Sequence, residues 1–249
     1  MIVLNDRWRS PPESLILSAG EAHVWRARLD LPASRIQAFE QTLAAGERAR
    51  ASRFRLPEDR ARFVAARGTL RAMLGRYLSR EPHTLQFIYN EYGKPAIACT
   101  SGSDLLAFNL AHSHNMALYA VTRSGEIGID IEQVQPGIAY EHLAGRFFSP
   151  SEASMLRAVP ARQQQEIFFR CWTRKEAYIK ARGMGLSLSL SQFDVSVTPG
   201  EPAALLEIRE EGQDASRWSL YDLAPGPGYA AALAVKGHLA SLICWQWPE

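Results

Sequence analysis

The chain is short of cysteine, of lysine and of long apolar runs, and each shortage excludes something. Its 249 residues hold three cysteines, Cys99, Cys171 and Cys244, an odd number at wide spacing. No CxxC pair occurs, so a disulfide scaffold or zinc cluster is disfavoured and a reducing compartment is the easier reading. No apolar stretch reaches the length that crosses a membrane. The opening run of four apolar residues is broken at once by Asn5, Asp6 and Arg7, unlike a secretory signal, so a cytoplasmic location without membrane attachment is expected. Low-complexity tracts and sequence repeats are also missing. What remains is globular: 47% hydrophobic residues and a net charge of only +2 exclude dominant disorder.

The shortage of lysine draws attention to the few present. Of 28 basic residues, 24 are arginine, and the lysines are Lys94, Lys175, Lys180 and Lys236. Charge is also unevenly placed. Residues 1–123 carry 17 basic and 11 acidic side chains, whereas residues 124–249 carry 11 and 15. A basic half joined to an acidic half suggests an anion held by one and a metal or counter-charge held by the other. The sign change near 124 is the only boundary signal.

Periodicity predicts helices over 34–45 and 57–79, the second opened by Pro57 in its first turn. Phe63, Ala66, Leu70 and Leu74 recur at helical spacing, with Arg60, Arg62, Arg67 and Arg71 around them. Strands are expected over 105–110 and 116–122, with His112 to Asn115 in the connection. Ser149, Pro150 and Glu152 fit an N-cap, a first-turn proline and a capping-box glutamate. A long helix over 162–182 stops near Gly183, and strands follow over 217–223, 229–235 and 241–247. Strands and helices interleave without a regular βαβ rhythm, so the class is α+β.

Alternation over 127–134 places Ile127, Ile129 and Ile131 on one face and Gly128, Asp130 and Glu132 on the other. Two carboxylates held that close repel, and a divalent cation resolves the conflict. An all-oxygen set favours Mg²⁺, Mn²⁺ or Ca²⁺ over zinc. The plainer alternative is a solvated face of an edge strand. In the helix that follows, Phe168, Trp172, Lys175 and Ile179 share a stripe, so Lys175 interrupts an apolar face; Glu176 lies beside it and Lys180 four residues on. These charges read either as an i,i+4 pair with a snorkelling Lys175, or as a third carboxylate and a phosphate-neutralising lysine. In the loop Tyr92, Gly93, Lys94, Pro95, glycine permits close backbone approach and lysine supplies charge. Arginines 48, 50, 53, 55 and 62 can clasp phosphate or simply solvate a helix. A nucleic-acid partner is disfavoured by the modest net charge and the lack of interleaved aromatics.

Taken together, YGKP at 92–95, FNLAHS at 108–113, GIDIE at 128–132, FFSPSE at 147–152 and WTRKEAYIKARGMGL at 172–186 resemble the Sfp-type 4′-phosphopantetheinyl transferases. The resemblance spans about residues 48–190. It implies two similar α+β halves, residues 1–123 on the adenine and 3′-phosphate side and 124–249 with the magnesium site, and coenzyme A between them. The implied activity moves phosphopantetheine from coenzyme A to a serine of an acidic apo acyl or peptidyl carrier protein, releasing adenosine 3′,5′-bisphosphate, in a monomer. Asp130, Glu132 and Glu176 match the ligands of Mg²⁺, with Mn²⁺ an alternative. Lys180 matches a lysine on the coenzyme A phosphates, His112 and Arg62 match residues at the 3′-phosphate, Arg50 is a looser match there, and Tyr92, Gly93, Lys94 and Pro95 match the adenine-side loop. Glu176, or in second place Glu152, is the expected base. The chain departs from the family at Ala111, where serine is usual, and at Glu47, where a lysine is expected with Arg48 and Arg50 nearby.

Overall fold

The alternation at the acidic strand is realised as read. In the computed structural model, β6 (Ile127–Gln133) turns Ile127, Ile129 and Ile131 into an apolar layer and Gly128, Asp130 and Glu132 toward a long helix, α6 (Ala161–Arg182). Gly128 is what allows that helix so close, because a Cβ there would overlap the backbone of Ala177 and Ala181. The structure describes residues 8–98, 106–123, 125–198 and 200–248. The opening apolar run, Cys99 and Leu105 lie outside the described residues.

The chain follows one path twice. First come β1 (Glu21–Arg28), α1 (Ala33–Thr42), α2 (Ala45–Ala51) and α3 (Pro57–Leu78). The hairpin β2 (Phe87–Tyr89) and β3 (Pro95–Ile97) follows, then β4 (Ala107–Ser113) and β5 (Met116–Thr122). The second pass runs β6, α4 (Tyr140–Phe147), α5 (Pro150–Ala158) and α6, then the hairpin β7 (Phe193–Val195) and β8 (Leu205–Ile208), then β9 (Trp218–Leu223) and β10 (Tyr229–Lys236). The sheets are ordered β1-β5-β4 and β6-β10-β9, antiparallel in both. A last strand, β11 (Ser241–Gln246), crosses back and pairs in parallel with β1. The sheet of the first pass is therefore completed by the chain's end, so residues 124–249 do not form a self-contained unit.

Ala22, Val24, Leu118, Ala120, Ile127, Ile129, Ile131 and Leu233 fill the layer between the sheets. α3 covers the outer face of one sheet, burying Trp25, Leu70, Leu74, Tyr119 and Val121. α6 covers the other, burying Phe168, Tyr178, Ile179, Ala232 and Ala234. Strands buried on both faces explain why β5 reads as a near-continuous apolar run.

Each long helix also buries a cation. Arg71 is 1% exposed, pairs with Glu47 at 2.7 Å, donates to the carbonyls of Pro82 and Leu85, and lies 5.1 Å from the Phe87 ring. Lys175 is fully enclosed, pairs with Glu152 at 2.7 Å, donates to the carbonyls of Leu190 and Phe193, and lies 4.4 Å from the Phe193 ring. Both glutamates are the third residue of a short helix and accept the backbone N–H at that helix's N-cap, Ala44 in one case and Ser149 in the other.

Several expectations are corrected. The helix expected over 34–45 is two helices, broken where Leu43 and Ala44 turn extended so that Glu47 can cap α2. Lys175 does not snorkel to solvent, because Glu152 and two carbonyls satisfy it inside. His112 lies in β4, opposite Ala117, and the connection is the two-residue turn His114–Asn115, where His114 takes φ 54°. Glu47 is committed to Arg71, which accounts for the missing lysine at that position.

Candidate active site

The acidic strand meets the first half of the molecule along its free edge, and side chains do the joining. Asn109 Oδ1 accepts the Ile129 N–H at 2.9 Å, Ser113 Oγ accepts the Gln133 N–H at 3.0 Å, and Lys94 Nζ donates to the Ile127 carbonyl at 3.0 Å. The edge is thereby sealed without a backbone ladder. Ser113 also donates to Glu132 Oε2 at 3.1 Å, so one hydroxyl fixes both the strand and its second carboxylate.

On the α6 side of this strand the charges converge. Asp130 is 2% exposed; its Oδ1 accepts from Lys180 Nζ at 2.5 Å, and its Oδ2 is enclosed without a partner. Glu132 and Glu176 are half-buried. Burial, reinforced by the neighbouring Asp130, pushes the Glu132 carboxyl up to about 7 and raises that of Glu176. Burial also raises Asp130 despite its lysine. Lys180 therefore answers Asp130 across the strand and not Glu176 along the helix. Among the described residues, no three ligating side chains form a ready-made metal centre. The donor chemistry nevertheless fits a hard cation: three mutually repelling oxygen donors, one carrying an unanswered buried oxygen.

A cleft of about 720 Å³ opens from Lys180. Arg50, Arg62, Arg67 and Phe63 form one wall, His112 and Ala111 the floor, and Tyr92, Gly93, Lys94 and Pro95 the opposite lip. α3 positions Arg62 and Arg67, α2 positions Arg50, and β4 positions the histidine. The imidazole of His112 is held below its ordinary pKa by partial desolvation in the cleft and then by the charges of Lys180, Arg67 and Arg50. The 92–95 loop is shaped by Asn90, whose Oδ1 accepts the N–H groups of Tyr92 and Lys94 and whose Nδ2 donates to the Gly183 carbonyl at 2.7 Å.

Nearly all predicted residues thus gather in one place, yet three are employed otherwise than expected. Lys94 lines the cleft, but its Nζ is spent on the carbonyls of Ile127 and Ala181, and burial drives its pKa down to about 8. Arg62 reaches the cleft while paired with Asp30 at 2.8 Å. Glu152 is corrected as a base: at 3% exposure its oxygens are occupied by Lys175, Ser149 N–H and Val195 N–H, which leaves none for a substrate. Asn109, Ser113 and Arg67 escaped the reading as site residues. The first two sit inside the quoted FNLAHS segment, whose alternation in β4 turns every second side chain toward β6; Arg67 carries no local signal beyond one more arginine on a helix.

Comparison with known proteins decides among the chemistries such a site can serve. A "4′-phosphopantetheinyl transferase HetI" of Nostoc sp. is 45% identical over 235 residues, covering 94% of this chain and 96% of its own length. The chain belongs to the 4′-phosphopantetheinyl transferase family. Residues 126–234 match the 4′-phosphopantetheinyl transferase superfamily and residues 32–124 the N-terminal part of a 4′-phosphopantetheinyl transferase. The "4′-phosphopantetheinyl transferase Sfp" of Bacillus subtilis is 35% identical over 157 residues, 63% of this chain and 67% of its own. A crystal structure of Thermotoga maritima holo-[acyl-carrier-protein] synthase overlaps with a TM-score of 0.35 at 22% identity, over 45% of this chain and 63% of that one. The chain is accordingly an enzyme, a 4′-phosphopantetheinyl transferase with a two-part α+β fold. Among the described residues, no helix of the transferase is long and apolar enough to cross a membrane.

Proposed function

We propose that the transferase moves 4′-phosphopantetheine from coenzyme A to a serine hydroxyl of an apo carrier protein and releases adenosine 3′,5′-bisphosphate. The observation that carries this reading is the meeting of Asp130, Glu132, Glu176 and Lys180 at one end of a cleft walled by Arg50, Arg62, Arg67 and His112. The nucleotide lies along the cationic cleft, its adenine at the Tyr92–Pro95 lip and its 3′-phosphate toward the arginines. The serine oxygen forms a bond to the phosphorus that bears the pantetheine arm, and the bond from that phosphorus to the adenosine-side phosphate breaks. Glu176 takes the serine proton, directly or through water. Lys180, anchored on Asp130, faces the charge that gathers on the leaving phosphate.

Asp130, Glu132 and Glu176 would hold Mg²⁺, with Mn²⁺ an alternative. A bound divalent cation supplies charge neutralisation for the diphosphate. The basic surface of residues 1–123 gives an acidic carrier domain a docking face.

The test is the intact mass of an apo carrier protein incubated with the enzyme, coenzyme A and Mg²⁺, with and without chelator. A gain of about 340 Da that the chelator abolishes is expected. No gain on fatty-acid, polyketide and peptide-type carriers would overturn the reading.

A further inference from the structure

Three of the four lysines pair with a carboxylate: Lys175 with Glu152, Lys180 with Asp130 and Lys236 with Glu126. Lys94 is the exception. Among the described residues no ion pair holds it, and its ammonium donates to two backbone carbonyls, Ala181 at 2.8 Å and Ile127 at 3.0 Å. A cation taken out of water in this way is costly unless its donors are met, so the two carbonyls are the substance of its environment.

Those carbonyls belong to the two elements that carry the acidic cluster. Ala181 lies in the last turn of α6, next to Lys180, and Ile127 opens β6, three residues before Asp130. The elements touch here: a Cβ on Gly128 would fall 2.1 Å from the Ala177 carbonyl oxygen and 2.2 Å from the Ala181 nitrogen. Lys94 reaches this crossing from the first half of the molecule and holds both sides of it. A positive charge is well placed at the end of a helix, where the last carbonyls lack helical partners and carry the negative end of the dipole.

The loop that carries Lys94 is fastened to the same helix end. Asn90 Nδ2 donates to the Gly183 carbonyl at 2.7 Å, and Gly183, the left-handed cap of α6 with φ 67°, closes its own N–H on the Ile179 carbonyl. A Cβ at 183 would come within 3.0 Å of Lys94 Cδ and 3.1 Å of Asn90 Nδ2. Glycine is therefore needed twice at this position, for its backbone and for the fastening.

We infer that Lys94 is a positioning residue: its ammonium fixes the end of α6 against the start of β6, and so sets Lys180 and Glu176 on the helix against Asp130 and Glu132 on the strand. The inference rests on the transferase reading above, in which Lys180 faces the leaving phosphate. It separates Lys94 from its own loop, since Tyr92, Gly93 and Pro95 border the donor whereas the Lys94 ammonium is spent in the joint.

The experiment measures kcat and KM for coenzyme A, with one apo carrier protein, in wild type, Lys94→Met and Lys94→Gln. Amide hydrogen exchange from Lys180 to Met184 is followed in each ligand-free enzyme. Lys94→Met should lower kcat about ten- to a hundredfold and move KM by less than about threefold, because a small offset of Lys180 is felt in the reaction more than in donor affinity. Lys94→Gln, which keeps an N–H donor, should recover part of kcat. Exchange at the end of α6 should quicken about tenfold in Lys94→Met and less in Lys94→Gln. A rise in KM with kcat unchanged makes Lys94 a nucleotide ligand and overturns the inference. A lower melting temperature with kcat and KM unchanged marks a merely structural residue and overturns it too, as does exchange that stays at the wild-type rate. If Lys94→Met does not fold, Lys94→Gln carries the same comparison. A wild-type enzyme that transfers nothing from coenzyme A overturns the transferase reading instead, and the exchange rates still decide whether Lys94 fixes the helix end.

Discussion

The helices α3 and α6 are both 22 residues long, and each buries a cation at its fifteenth position, Arg71 in one and Lys175 in the other. In both halves that cation meets a capping-box glutamate, two backbone carbonyls and an aromatic ring. The sheet under each helix has the same strand order. What differs is the face that the first strand turns to the helix. β1 offers His23 and Trp25, and Tyr77 of α3 bonds to both, at 2.7 and 2.9 Å. β6 offers Gly128, Asp130 and Glu132, and α6 answers with Glu176 and Lys180. One frame holds an aromatic core on one side and a cluster of repelling charges on the other. The buried cation and its glutamate belong to the frame, and the chemistry resides in a handful of side chains where the halves diverge.

The largest test of that division is at the acidic face. Glu176→Gln and Asp130→Asn should each lower kcat by at least about a thousandfold in the carrier mass assay while the circular dichroism of the fold is kept. Near-wild-type turnover in either would place the reacting centre elsewhere. Next in size are the two frame glutamates, which should act on stability. Glu152→Gln should cost about 3 kcal/mol in urea unfolding, because Lys175 is left inside without its counter-charge and the Val195 N–H loses a charged acceptor. Glu47→Gln should cost less, about 2 kcal/mol, since one of the glutamate oxygens already lacks a partner. If Glu152→Gln instead left stability intact and removed activity, Glu152 would return to the reaction.

How much of this was legible in the sequence follows from how far each signal reaches along the chain. The β6 alternation, the Ser149–Glu152 cap and the extent of α6 are written in neighbouring residues, and all three are found as read. The break between α1 and α2 falls at Leu43 and Ala44, neither of them glycine or proline. His112 and Ser113 look like turn residues because strand propensity disfavours them; they are in a strand because their partners lie across it. The employment of Lys94 and Arg62 depends on Ile127 and Asp30 respectively, contacts that no local pattern encodes. The twofold path itself left no repeat in the sequence, because the corresponding faces were filled with opposite chemistry.

A smaller effect separates the halves by pH. His23 is 1% exposed, bonded to Tyr77, edged by Trp245 and near Glu21. Burial lowers its pKa from 6.5 to about 4, and the charge of Glu21 offsets this only in part. The unfolded chain therefore binds a proton that the folded one refuses between those values. The contribution is whole above about pH 6.5 and is lost as pH falls toward 4. Between pH 7 and pH 5 it should amount to about 2 kcal/mol. His23→Gln should flatten the unfolding free energy over that range relative to wild type; an unchanged slope would mean that the imidazole titrates normally inside the aromatic half.

The smallest effect is expected where the halves touch. Along β4, Asn109 and Ser113 hold the N–H groups of Ile129 and Gln133, and the residue between them is Ala111, 6% exposed in the layer between the sheets. The serine usual at this position in the family would place a third polar side chain between Asn109 and Ser113 on this strand. Alanine leaves the joint to the rungs of Asn109 and Ser113. Ala111→Ser should shift unfolding free energy by no more than about 0.5 kcal/mol and the KM for coenzyme A by less than about twofold. A large rise in KM would show that position 111 reads the nucleotide, and a large fall in kcat alone would show that a hydroxyl at 111 disturbs the acidic strand beside it.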